Sequence, residues 1–296
     1  HTSMGANGDG TALSLEYLSS TAGRSVVPQF DSFRRYFAND EKYADTMVQE
    51  ALLLEDGMRD SQRRAVVISA SQFVIIYMSA LQAMHDATSS CSDKSRRESA
   101  AAESWDKAAA LLIGSLEGSE AAGSNEGRLL WSLGKKFCKE FGTCSTETPG
   151  SAKINDKIER LLYAGRGAVL SGSCDELRKV SSEIEPFLKV PLLQASLSSC
   201  VQLAQRGRSD KDFLQAEAYV YSLALLPLIH DVNRNAAITI RENFPLEGKP
   251  IKDGVQVVTD AYISALGDLG VQCEDVGSNG EIDACSGSSA QSRNKA

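Results

Sequence analysis

The chain has 296 residues, enough for one large domain or two small ones, and its 42% hydrophobic and 24% charged residues are the proportions of an ordinary folded protein. Lys+Arg 31 against Asp+Glu 39 gives a net charge of −8 without a basic stripe, which excludes a groove for a phosphate backbone and hence nucleic acid as a partner. The three His, at 1, 85 and 230, exclude a multi-His zinc centre, so carboxylates and tyrosines are the ligands to look for in any metal site.

In chain order, residues 1–29 begin with a Gly-, Ser- and Thr-rich stretch and read as a mobile N-terminal segment. From Asp31 to Leu54, Phe33, Tyr36, Phe37, Tyr43, Met47, Ala51 and Leu54 recur at helical spacing, with Asp31 placed as an N-cap. Ala65 to Met84 carries no charged residue over 20 positions, but Ser69, Ser71, Gln72, Ser79 and Gln82 interrupt it, so it predicts a helix buried in a bundle rather than a membrane span. Further helices are expected over Glu98–Leu116, Arg128–Phe141, Ile154–Leu170, Asp175–Ala204 with bends at Pro186 and Pro191, Asp210–Asn243 with a kink at Pro227, and Gly254–Leu269. No run of strand-like alternation appears, and the fold class is all-α, a helical bundle.

Pro149-Gly150-Ser151 is the natural hinge, dividing a first helical half, 30–148, from a second, 149–276, with 277–296 a disordered Ser/Gly/Asn tail. The halves echo each other: Leu81-Gln82-Ala83-Met84-His85-Asp86-Ala87 matches Leu226-Pro227-Leu228-Ile229-His230-Asp231-Val232, with the His residues 230 − 85 = 145 positions apart. Each dipeptide is read as the end of the longest apolar helix of its half, the pattern of a distant helical duplication.

Seven cysteines, at 91, 138, 144, 174, 200, 273 and 285, include no C-x-x-C pair, and their wide spacing fits a few structural disulfides with one thiol left over. Cys138 and Cys144 are near enough to clip a helix end at Gly142, and the other pairings are not readable from spacing. His85 and Asp86 diverge by about 100° on a helix and do not chelate one ion as an i,i+4 pair does. The plain reading of each His-Asp pair is a His capping helix carbonyls beside a solvated Asp, although His230 is preceded by Glu217, Tyr219 and Tyr221. Glu103 and Asp106 share a face beside Trp105 and are either oxygens for a hard cation or two solvated carboxylates; Tyr43, Tyr77 and Tyr163 are either phenolate ligands or core. The chain has no G-x-S-x-G, phosphate loop, H-E-x-x-H or dinucleotide fingerprint, and no enzyme is expected.

Several stretches in shared order resemble the algal iron-assimilating family, comprising the low-iron-induced periplasmic proteins of green algae and the phytotransferrins of diatoms. They are Tyr36-Phe37-Ala38-Asn39-Asp40-Glu41-Lys42-Tyr43-Ala44-Asp45, Met84-His85-Asp86-Ala87 to Cys91, and Trp105-Asp106-Lys107-Ala108-Ala109 through Ile113-Gly114-Ser115-Leu116-Glu117-Gly118. Gly127-Arg128-Leu129-Leu130-Trp131-Ser132-Leu133, Lys136-Phe137-Cys138, Val190-Pro191-Leu192-Leu193-Gln194, Leu225-Leu226-Pro227-Leu228-Ile229-His230 and Leu269-Gly270-Val271-Gln272-Cys273-Glu274-Asp275-Val276-Gly277 extend the likeness almost to the end of the chain. The resemblance implies a non-enzymatic, exported or surface-attached protein that binds ferric iron, with carbonate as a synergistic anion. By position it implies Asp86, Asp106, Glu117 and His230 as iron ligands; His85 and Glu103 join them as candidates from the spacing read above, and Arg128 is the candidate anion partner by its charge. Where the family pattern is more acidic this chain has His85, Ser89-Ser90 and Lys107, which implies the alternative of a structural or docking subunit of an extracellular or membrane-associated assembly with a degenerate site.

Overall fold

A computed structural model describes residues 4–6, 12–13, 17–18, 27–53, 57–114, 116–117, 127–205 and 209–286, the side chains of 4–6, 12–13 and 96–98 excepted. The protein is all-α. Met4–Ala6 and Ala12–Leu13 pair as a small antiparallel ribbon, and most of the segment expected to be mobile, 1–29, lies outside the described residues. Leu18 in that segment is buried, and its carbonyl accepts a hydrogen bond from Ser79 Oγ at 3.2 Å.

Helix α1, Pro28–Tyr36, opens on a proline in its first turn, where the missing N–H has no partner to lose. Asp31 lies inside that turn rather than at the N-cap. The single helix expected over Asp31–Leu54 is two, because Ala38 and Asn39 take left-handed φ values of 57° and 66° and turn the chain into α2, Tyr43–Leu53. Phe37 stacks on Tyr43 with ring centroids 5.1 Å apart, packing the corner.

Next comes the longest apolar stretch, α3 (Asp60–Ala70), a π-helical turn (Ser71–Ile75) and α4 (Ile76–Cys91). Gln62 starts it by accepting from the Arg59 N–H at 3.0 Å. By length and composition this helix is apolar enough to cross a membrane, but 78% of its most apolar window is buried inside the protein, as its recurring polar residues led one to expect. A short α5 (Lys94–Arg96) and a second π turn (Arg97–Ala101) lead into α6, Ala102–Ile113, which packs along α4. Buried Ala80, Ala83, Ala87, Ala101, Ala102 and Ala108 keep the side chains in this region small, and Trp105 fills the core beside them.

Helices α7 (Leu130–Cys138) and α8 (Lys153–Ser171) precede α9, Cys174–Ala204, which runs on through Pro186 and Pro191. Every residue of α9 from Leu188 to Cys200 is buried, since the helix is covered by α4, α7, α8, α10 (Lys211–Leu223), α13 (Val255–Ala265) and α14 (Cys273–Val276). The helix expected over Asp210–Asn243 is three. Pro227 sits in the first turn of α11 (Leu226–Val232) rather than kinking a longer helix, and Asn233 caps α12 (Arg234–Asn243) by accepting from the Ala236 N–H at 3.1 Å.

One hydrophobic core runs from Leu18 to Ala284 and crosses the hinge at 149–151. Helix α3 packs on α10, α4 on α9, and the Cys91–Cys174 disulfide joins the end of α4 to the start of α9. Cys138–Cys144 is bonded at the end of α7 as expected, Cys273 bonds Cys285, and Cys200 is a free buried thiol. The disordered tail expected from Gly277 is corrected as far as Ser286. Ser278 donates to the Phe141 carbonyl at 3.1 Å, Ile282 and Ala284 are buried, and the Cys273–Cys285 bond closes the loop. Gly277 makes this return possible, because a Cβ there would lie 2.2 Å from the Phe141 oxygen and its φ is +81°. Residues 287–296 lie outside the described residues.

Candidate functional site

A cleft of about 580 Å³ lies where α3, the Ser71–Ile75 turn, the 116–117 and 127–129 segments, α7 and α10 meet. Helical spacing aims its lining. Arg64 and Ile68 stand four apart on α3; Ser132, Lys135 and Lys136 share one face of α7; Phe213, Glu217 and Tyr221 stand at successive steps of four on α10. The π-helical turn contributes Gln72 and Phe73, and such turns recur at functional sites because the widened coil re-aims its side chains. The Phe73 and Tyr221 ring centroids are 5.4 Å apart.

Glu117 and Arg128 meet in this cleft, the former buried and the latter exposed at the rim. Glu117 Oε1 accepts from the Gly127 N–H at 2.9 Å and Oε2 faces Lys135 Nζ at 2.8 Å. Its side chain lies across Gly127 so closely that a Cβ there would come within 2.0 Å of Glu117 Cγ. A buried carboxylate held by an ammonium and an amide N–H has its charge answered locally, and here it ties the loop after α6 to α7. Glu217 accepts from Tyr221 Oη at 3.3 Å. Burial raises the Glu217 pKa, while Lys136 across the cleft opposes the shift; burial also pushes the Tyr221 phenol well above its ordinary value.

Among the described residues, four cations (Arg64, Arg128, Lys135, Lys136) and two carboxylates (Glu117, Glu217) line the cleft, a balance of 4 − 2 = +2 for those residues in a chain of net −8. Among the described residues Arg64 and Arg128 make no ion pair. Two guanidinium groups at one concave surface attract an anion, not a bare cation.

The other expected ligands stand elsewhere, and the single ligand set of Asp86, Asp106, Glu117, His230, His85 and Glu103 is not assembled in one place. Asp86 Oδ1 accepts from Gln82 Nε2 at 2.7 Å on its own helix, and His85 faces Ser89 Oγ at 3.4 Å beside a different groove that includes Arg178 and Glu185. Both lie inside α4, which continues to Cys91, so this His-Asp pair is not at a helix end. Asp106 is exposed and paired with Arg166 at 3.0 Å, and Glu103 is exposed one turn away. His230 lies on the seven-residue α11, not on the longest helix of its half, and meets the Tyr36 ring edge-on with centroids 5.6 Å apart. Its neighbour Asp231 accepts from Arg35 and Ser32, at 2.9 and 2.5 Å, docking α1 on α11. Of the candidate tyrosines, Tyr43 and Tyr77 are buried with phenols raised by burial, and Tyr163 is exposed on α8.

Among the described residues, the group of His, Cys, Asp and Glu within reach of one common ion is Cys273, Glu274 and Cys285. Its two sulfurs are bonded to each other, so neither is a thiolate ligand. The cleft residues that sequence reasoning missed, Arg64, Lys135, Lys136 and Phe213, carry one local signal each, the i,i+3 or i,i+4 spacing on their helices. Comparison of the chain with protein-family models, with curated proteins and with solved structures finds no match.

Proposed function

We propose that the protein is a non-enzymatic, extracytoplasmic binding protein that takes up ferric iron together with an anion in the cleft between α3, α7 and α10. The observation that carries the reading is the meeting of Glu117 and Arg128, one expected as an iron ligand and the other as its anion partner, in a cleft that also holds Glu217 and Tyr221. Carboxylate and phenolate oxygens are hard donors suited to Fe(III). The surplus of +2 among the described lining residues repels a bare trivalent ion, and the two charges of carbonate offset it, so metal binding depends on the anion. Three disulfides fit an oxidising compartment. Export is part of the proposal.

Ferric iron added with bicarbonate is expected to give a visible tyrosinate-to-iron charge-transfer band, abolished in Tyr221→Phe and weakened in Glu217→Gln. A wild-type spectrum without the band sinks the assignment of Tyr221 as a ligand. A docking role, the alternative raised by the sequence, is favoured by Tyr163 and Leu170, both about 60% exposed and seven residues apart on one face of α8. A protein that is monomeric at all concentrations and recovers no partner from extracellular extract through that face would remove this alternative.

A further inference from the structure

We propose that the same cleft binds a small organic polycarboxylate directly, with or without a metal. Size is the first reason. About 580 Å³ falls in the range of small-molecule sites, several times what carbonate or a hydrated ion needs. Charge is the second. Arg64, Arg128 and Lys136 come from three different elements, α3, the 127–129 segment and α7, so three walls of the cleft each contribute a positive group. An anion that distributes carboxylates over several arms suits positive groups from several walls, and the planar guanidinium groups donate paired hydrogen bonds to each carboxylate.

The walls supply the third reason. Phe73, Phe213 and Tyr221 line the same cleft with aromatic rings, which suit the carbon skeleton of an organic anion and are wasted on an inorganic one. Gln72 and Ser132 add polar groups for a hydroxyl. The proposal shares the cleft with the ferric reading but does not need the metal. Where both hold, the cargo is iron already held by an organic chelator.

Isothermal titration of chelator-treated protein with citrate, and in parallel with inorganic phosphate and bicarbonate, tests it. Citrate is expected to bind saturably, more tightly than either inorganic anion, and less tightly as salt is raised. Arg64→Ala and Arg128→Ala, both at exposed positions, are each expected to weaken citrate about tenfold or more, with the far-UV circular dichroism unchanged. Lys252→Ala, which breaks an exposed pair with Glu242 elsewhere on the surface, leaves citrate affinity as it is. Absence of citrate binding, equal binding of phosphate, or indifference to both arginine substitutions overturns the proposal. Iron retained with bicarbonate but no citrate binding overturns this inference alone; citrate binding without any iron retention leaves it standing and removes the ferric reading.

Discussion

Gly165 and Gly167 lie two positions apart in α8 and respond in opposite directions to the same methyl group. At Gly165 an added Cβ would stand 2.0 Å from Trp105 Cζ2 and 2.4 Å from Cε2, and Trp105 is a buried, rigid ring whose Nε1 donates to the Leu162 carbonyl at 2.8 Å. At Gly167 nothing lies within 4 Å. Alanine in place of glycine inside a helix gains roughly 1 kcal/mol at both sites. At 165 the indole must move, at an overpacking cost near the upper end of about 1–3 kcal/mol, and displacing it leaves a buried N–H unpaired for roughly another 1–3 kcal/mol. The expected net is a loss of about 3–5 kcal/mol for Gly165→Ala and a gain of about 0.5–1 kcal/mol for Gly167→Ala. Urea unfolding followed by tryptophan fluorescence measures both. A Gly165→Ala protein as stable as the wild type would refute the packing of α6 on α8 through Trp105.

Three further outcomes follow from the site and the cysteines. Lys135→Met strips the buried Glu117 of its counter-charge and is expected to cost about 3 kcal/mol in urea unfolding, most of it recovered by adding Glu117→Gln; a single mutant of wild-type stability would show that the pair carries little. Because burial raises the Glu217 pKa, the stability tied to its bound proton is fully present below the unfolded value of about 4.3 and lost as pH rises through the folded value. Glu217→Gln keeps that share, so its stability relative to wild type rises with pH across the window, and a flat difference between pH 4 and 7 contradicts the shift. In thiol titration without reductant, the native protein is expected to show no reactive thiol, since Cys200 is buried and its pKa is pushed up to about 12. The denatured chain then shows one, and seven on denaturation would exclude the disulfides.

The helical fold is legible in the sequence because Ala- and Leu-rich runs of period 3.6 need only local information. Its interruptions are less so. Ala38 carries no turn signal although it takes a left-handed conformation beside Asn39, and the hydrophobic spacing runs on across the corner from Phe37 to Tyr43. The break at Asn233, which caps α12, lies in the short, mostly polar stretch Asp231–Asn235 between two apolar runs at helical spacing. The pairing of Cys138 with Cys144 follows from proximity in the chain, whereas Cys91–Cys174, 83 residues apart, depends on how α4 meets α9. The site divides in the same way. Glu117 stands out by resemblance and Arg128 by its charge, but the cleft they share draws Arg64 from α3 and Glu217 from α10, and no spacing along the chain brings those four together. The matching His-Asp dipeptides misled for the converse reason: identical neighbours in sequence sit in α4 and α11 in unlike surroundings.

Ferric iron retained after a chelator wash, measured with and without bicarbonate on the wild type and Arg128→Glu, bears most directly on the cleft as a site for iron with its anion. The expected result is one ferric ion per chain in the wild type only when the anion is present, and none in Arg128→Glu. No iron above the chelator-washed control, or equal retention in Arg128→Glu, would contradict it.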